Sequence, residues 1–135
     1  MAHLLLFDAI RLHEGMGHPE QLSEDVPFSD LHCNELDDYY KALRCRLFDI
    51  AHYKVGGKYF DIFVDDEGMF AEEPVVSARD KDGNPMLVGN LIFANHDKHG
   101  NTTSLTEDDV HTIVNAVRGG FKSDGSLTWW IECEA

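Results

Sequence analysis

Apolar residues along this chain recur in two periods, and the clearest change from one to the other falls in its second half. The run from Met86 to Ala94 is almost continuously apolar, which suits a buried strand. After a polar loop, Val110, Ile113, Val114 and Val117 return at the helical spacing i, i+3, i+4, i+7. Thr106 stands where an N-cap is needed, Asp109 three residues on makes a short capping box, and Leu105 with Val110 can close a hydrophobic staple. The spacing predicts a helix from Thr106 to Arg118, stopped by Gly119 and Gly120 in the left-handed region. One face of that helix must be buried, and the sheet to which the preceding strand belongs is its natural partner.

The rest of the chain follows the same logic. Residues Leu4 to Ile10 are apolar enough for a first strand or a short helix, and strand is preferred. From Arg11 to Cys33 glycines, prolines and acids predominate, which predicts a long acidic surface excursion over residues 11–33. Asn34 suits an N-cap, with Leu36, Tyr39, Tyr40, Leu43 and Leu47 as the apolar stripe of a second helix. Leu47 to Tyr53 and Lys58 to Asp65 read as a hairpin turning at Gly56-Gly57, with Phe60, Ile62 and Val64 on its one dry face. A turn at Asp65-Asp66-Glu67-Gly68 follows, and Met69 and Phe70 restart an extended segment. Val75 to Met86 reads as a connection. Leu127 to Cys133 alternates as a last strand, with Trp129 facing the core and Trp130 the opposite side. The expected fold is α+β, a single small domain in which a mainly antiparallel sheet of about five strands packs against two helices.

Charge changes the functional picture. The 135 residues carry 11 Lys and Arg against 25 Asp and Glu, a formal net charge of −14. Such a surface repels nucleic acid and anionic membranes and attracts basic protein surfaces over long range. The densest acidic stretch is Asp61 to Pro74, where Asp65, Asp66, Glu67, Glu72 and Glu73 occur without a Lys or Arg. Cys33, Cys45 and Cys133 are odd in number and show no metal-binding spacing, which points to reduced thiols in a cytoplasmic protein. No stretch approaches the roughly 18 apolar residues of a membrane span, and the opening residues lack the pattern of an export signal.

Candidate chemistry is sparse. His96 and His99 flank Asp97, while His13 and His18 lie near Glu14 and Glu20, and either group could contribute zinc ligands. Neither has the Cys partners or the helical HExxH of a strong site, so no metal is assigned. The Asp65-Asp66-Glu67 trio lacks the alternating ligands of a calcium loop, and phosphate-cradling and nucleophile-elbow motifs are absent from the sequence. A non-enzymatic protein without cofactor is expected.

In sequence order, Asp66-Glu67-Gly68, Val88-Gly89-Asn90 and the segment Ser104 to Asp109 resemble the recurring motifs of a family of small acidic proteins of phages, plasmids and their bacterial hosts, over roughly Asn34 to Gly120. The resemblance supplies no catalytic residues. It implies a mobile-element context, in which small acidic proteins often occupy the basic nucleic-acid channel of a host defence protein. The resulting expectation is an inhibitor of a restriction or CRISPR effector that acts by DNA mimicry. Its contacts would be Asp65, Asp66, Glu67, Glu72 and Glu73, then Glu24, Asp25 and Asp30, with Trp130 as an aromatic anchor. Two alternatives remain: a regulatory module that self-associates, as a homodimer, through Trp130 or a sheet edge, and a metal-dependent enzyme using the His13/His18 or His96/His99 region.

Overall fold

The structure is a computed structural model that describes residues 2–14, 28–71, 74–121, 123–125 and 127–135. The chain is α+β, and its elements in order are β1 (Ala2–Phe7), α1 (Ala9–Glu14), β2 (Phe28–Cys33), α2 (Leu36–Leu43), β3 (Phe48–Val55) and β4 (Lys58–Asp65). A 3-10 turn (Gly68–Phe70) follows, then β5 (Val76–Arg79), β6 (Pro85–Val88), β7 (Leu91–His96), β8 (Thr102–Thr103), α3 (Glu107–Val114), β9 (Val117–Phe121) and β10 (Leu127–Glu132). Two sheets result, where a single one of about five strands was expected. The larger has the order β2-β1-β7-β4-β3 with β8 paired to β7, and the smaller runs β6-β5-β10-β9. All pairings are antiparallel except β5 with β10.

Strict alternation sorts the larger sheet's side chains into two cores. Leu5 and Phe7, Phe60, Ile62 and Val64, and Leu91 and Phe93 join Ala78, Leu87 and Ile131 of the smaller sheet and Ile113 of α3 in the first core. Leu4, Leu6, Phe63, Ile92 and Ala94 point the other way, into a second core that holds Leu43 of α2. The central strands are therefore buried on both faces; within the hairpin β4 is dry on both sides where one dry face was expected, while β3 keeps Asp49, Ile50 and His52 exposed. Gly56 and Gly57 both take positive φ, 59° and 88°, the backbone of a tight two-residue hairpin turn, and this sets the register of β3 on β4.

Several boundaries differ from the pattern-based expectation. The excursion at 11–33 is bounded by ordered structure, because α1 runs into its start and β2 occupies its end as an edge strand on β1. The apolar run Met86 to Ala94 is split between the two sheets at Gly89, whose φ of 85° turns the chain out of β6 and into β7. Asn90 just beyond is 1% exposed; its amide oxygen accepts the Ile10 N–H at 2.9 Å and its NH2 donates to the Ala42 carbonyl at 3.0 Å. The segment Val75 to Met86 is a β5–β6 hairpin, since Asp80 gathers the N–H groups of Asp82 and Asn84 and closes the turn. Asp97 does the same with His99 and Asn101, so the sequences DKDGN and DKHGN form one turn used twice.

α3 begins as expected: Thr106 accepts the Asp109 N–H, and the Asp109 carboxylate accepts the Thr106 N–H at 2.9 Å. Its end differs. The helix stops at Val114, and Gly119 and Gly120 belong to β9, where the rings of Trp129 and Trp130 lie over them. A Cβ on Gly119 would stand 2.7 Å from Trp129 Cζ3, so the glycines serve close packing and not helix termination.

Candidate functional site

The turn after β4 is held by several hydrogen bonds. Asp65 accepts the Glu67 N–H at 2.8 Å, and the Asp66 N–H donates to the Leu47 carbonyl at 3.0 Å. The Arg46 guanidinium donates to both Glu67 oxygens, at 2.7 and 2.9 Å, and holds that carboxyl below the usual range. Gly68 is buried beneath this turn, with space for a Cβ only 3.3 Å from the Val88 carbonyl oxygen. The Asp66-Glu67-Gly68 and Val88-Gly89-Asn90 motifs therefore touch. The fixed turn projects Met69 and Phe70, which are 69% and 85% exposed, and where an extended segment was expected the backbone is 3-10.

Beside it runs an open groove of about 720 Å³ whose walls include Tyr40, Lys41, Arg44 and Arg46 with Glu67 and Phe70. Arg44 takes the left-handed conformation, φ 54°, to end α2. Leu36 and Leu47, expected on the buried stripe of that helix, are 58% and 51% exposed, because its core face is Leu43 with Tyr39 and Ala42. The expected N-cap also moves by one residue: Glu35 holds that position, and Asp38 accepts the backbone N–H groups of both Asn34 and Glu35. Asp37 pairs with Lys41 at 3.0 Å. The acids at this end of the molecule are thus interleaved with cations, and Asp66 is the exposed member of the trio, Asp65 and Glu67 being partly buried.

The other expected contacts are dispersed. Glu24, Asp25, Glu72, Glu73 and His18 lie outside the described residues, as does the side chain of His13. Asp30 pairs with His3 at 3.1 Å. It sits on β2 opposite Leu5, while Asp65 lies opposite Phe48, so the two acids are on opposite faces of the sheet and three strands apart, about 14 Å laterally. Trp130 is half-buried, with the Arg79 guanidinium 5.4 Å from its ring centre. Its neighbour Trp129 packs against the first core.

A second polar cluster lies on the α2 face of the larger sheet. Asp61, 6% exposed, accepts His52 Nδ1 at 2.7 Å and His96 Nδ1 at 3.0 Å. Three strands position it, for His52 faces Asp61 across β3 and β4 and His96 extends β7 beyond Ala94, the neighbour of Asp61. His96 thus joins His52 and not His99, whose own N–H belongs to the Asp97 turn. The His52–Asp61 pairing follows from the Gly56-Gly57 turn and was legible in sequence; His96 arrives through long-range pairing. Among the described residues no three His, Cys, Asp or Glu side chains are gathered as a ligand set around a metal ion. The thiols are free, and burial pushes Cys33 and Cys45 up to about 11 and Cys133 to about 12, which keeps them in the protonated form. No described helix is long and apolar enough to cross a membrane.

A domain of unknown function, DUF3846, matches residues 12–118. The chain belongs to the DUF3846 family. That span contains the groove, the fixed turn and the His52–Asp61–His96 cluster. No curated protein and no solved structure matches the chain.

Proposed function

We propose that this DUF3846 protein is a non-enzymatic binding protein of a phage or other mobile element that docks on the basic surface of a host nucleic-acid-processing defence protein, a restriction or CRISPR effector. The observation that carries the reading is Phe70, 85% exposed beside Met69 on a turn locked by the Arg46–Glu67 pair and by Gly68. Large side chains held out on a rigid turn lose little entropy on burial, and aromatic anchors rimmed by polar groups dominate binding energy at interfaces. The net charge of −14 supplies the second ingredient, long-range attraction to a basic partner. In this division of labour Phe70 and Met69 anchor, while Asp65, Asp66 and the surrounding acids steer in the manner of a DNA mimic.

A pull-down of host proteins with the full chain, washed at rising salt, tests this. The proposal expects a nuclease or other nucleic-acid-binding effector that is retained by the native chain, is captured more slowly by Asp65→Asn/Asp66→Asn, and is lost with Phe70→Ala. Retention of such an effector by all three alike would refute it, and so would capture of none. Self-association is the second reading, and the observation that favours it is Phe121, 77% exposed at the end of the edge strand β9. A concentration-dependent mass abolished by Phe121→Ser would select it.

A further inference from the structure

We infer that the free edge of β3 receives an extended segment of a basic partner as an added strand, held by the backbone of Phe48, Ile50 and His52. The inference rests on the proposed reading that the partner is basic, and it names how that partner is held. β3 is the terminal strand of the larger sheet and has eight residues. Because Val55 and Lys58 flank a two-residue turn, the odd-numbered residues of β3 bond to β4, and the even-numbered ones turn their N–H and C=O groups outward. Lys54 has its outward groups in use: its N–H donates to the Glu134 carbonyl and its carbonyl accepts the Glu134 N–H, both at 2.8 Å. From His52 back to Phe48 no other strand pairs with this edge among the described residues. There the Ile50 N–H donates to the carboxylate of the preceding Asp49 at 2.8 Å.

An unpaired row of N–H and C=O groups is a template for another strand, and a charged side chain on such an edge limits which strands it accepts. Asp49 is that side chain, and it decides the occupant. It is exposed, as is Asp66, whose N–H donates to the carbonyl of Leu47 at the start of the same edge. Phe48 and Ile50 alternate onto the opposite face, where Ile50 is 39% exposed. An added strand with Lys or Arg on the Asp49 side and apolar residues on the Ile50 side meets both sets: backbone bonds hold it, and the alternating side chains select it. A second copy of this chain is a poorer match. Pairing β3 with itself would bring two Asp49 rims together on molecules that each carry a net charge of −14. The edge also begins beside the turn that carries Phe70, so strand addition and the aromatic anchor adjoin.

Hydrogen exchange of the full chain, followed amide by amide in the presence of a synthetic peptide of alternating lysine and valine, tests the assignment. The peptide should slow exchange of the Phe48 and His52 N–H groups about tenfold or more. A peptide of the same charge, methylated on its backbone nitrogens, should not. Ile50→Pro places a ring on the outward side of the edge and leaves the β3–β4 ladder its bonds, so it should abolish the effect while the Ile62 and Val64 amides keep their native protection. Asp49→Asn, which leaves the edge open, should weaken peptide binding severalfold. The inference is overturned if the peptide protects neither amide, if the methylated peptide protects them equally, or if protection rises with the concentration of the chain alone, which would assign the edge to a second copy. The host pull-down separates this from the proposed function. An effector lost with Phe70→Ala but retained by Ile50→Pro keeps that function and overturns strand addition; capture of no effector, with the peptide still held at the edge, removes the proposed host and supports strand addition.

Discussion

Replacing Asp109 by Asn removes a charge that three elements share while keeping the side chain's shape. The carboxylate is 5% exposed and accepts from Lys58 Nζ at 2.6 Å, Asn95 Nδ2 at 2.8 Å and the Thr106 N–H at 2.9 Å. It joins the N-terminus of α3 to β4 and β7. Burial alone would raise its pKa; the Lys58 ammonium, the Thr106 backbone and the Asn95 amide outweigh burial and bring it from 3.8 down to about 2. A folded-state value below the unfolded one means that the carboxylate stabilises the fold fully above pH 3.8 and that this contribution is lost as pH falls toward 2. The shift corresponds to about 2 kcal/mol at neutral pH. For a chain of 135 residues that is a fall of about 7 °C in the unfolding midpoint. Thermal unfolding of the native chain and Asp109→Asn from pH 7 to pH 2 gives the comparison. The gap should be widest at neutral pH and should close between pH 4 and pH 2, since other titrating carboxylates act on both proteins. A gap below about 2 °C at pH 7, or one that persists unchanged at pH 2, would refute the reasoning.

Other expectations are as direct. Asn90→Ala leaves the Ile10 N–H and the Ala42 carbonyl without their partner and should cost about 1–3 kcal/mol, with amide exchange accelerating first in α1 and at the end of α2. Gly119→Ala drives a methyl group into the Trp129 ring and should destabilise by about 1–3 kcal/mol, with a change in near-ultraviolet circular dichroism that Gly125→Ala would not produce. Arg44→Gly should raise stability by about 1 kcal/mol, because glycine takes the left-handed conformation there without strain; an unchanged or lower midpoint would count against strain at that residue. Phe70→Ala should shift stability by less than about 0.5 kcal/mol while it abolishes partner capture.

What the sequence made legible was local. The start of α3 and the β3–β4 hairpin each depend on a few neighbouring residues, Thr106 with Asp109 and Gly56 with Gly57, and each forms as the pattern requires. Features that answer to distant partners were not readable. Gly119-Gly120 has the form of a helix stop, yet it serves the rings of Trp129 and Trp130 across a strand pair. The run Met86 to Ala94 has the form of one strand, because both sheets demand apolar residues and only the conformation of Gly89 divides them. Net charge was legible as a sum and not as a surface. Asp38, Asp80, Asp97 and Asp109 are bound to backbone N–H groups that they organise, and Asp61 is buried under two imidazoles. Composition does not separate such acids from those, like Asp66, that face solvent.

The junction at Gly89-Asn90 also decides where this chain tolerates changes of length. β6 and β7 are consecutive in the chain and belong to different sheets, with two residues between them. One residue added or removed there would shift β7 by half a pleat period relative to β6, exchanging every inward and outward side chain of one sheet. It would also draw Asn90 away from both helices. The DKDGN and DKHGN turns carry no such constraint, since each closes on its own Asp and protrudes from a hairpin. Length variation should therefore gather at those two turns, and they are the places to graft an epitope, a fluorophore or a tether without disturbing either sheet.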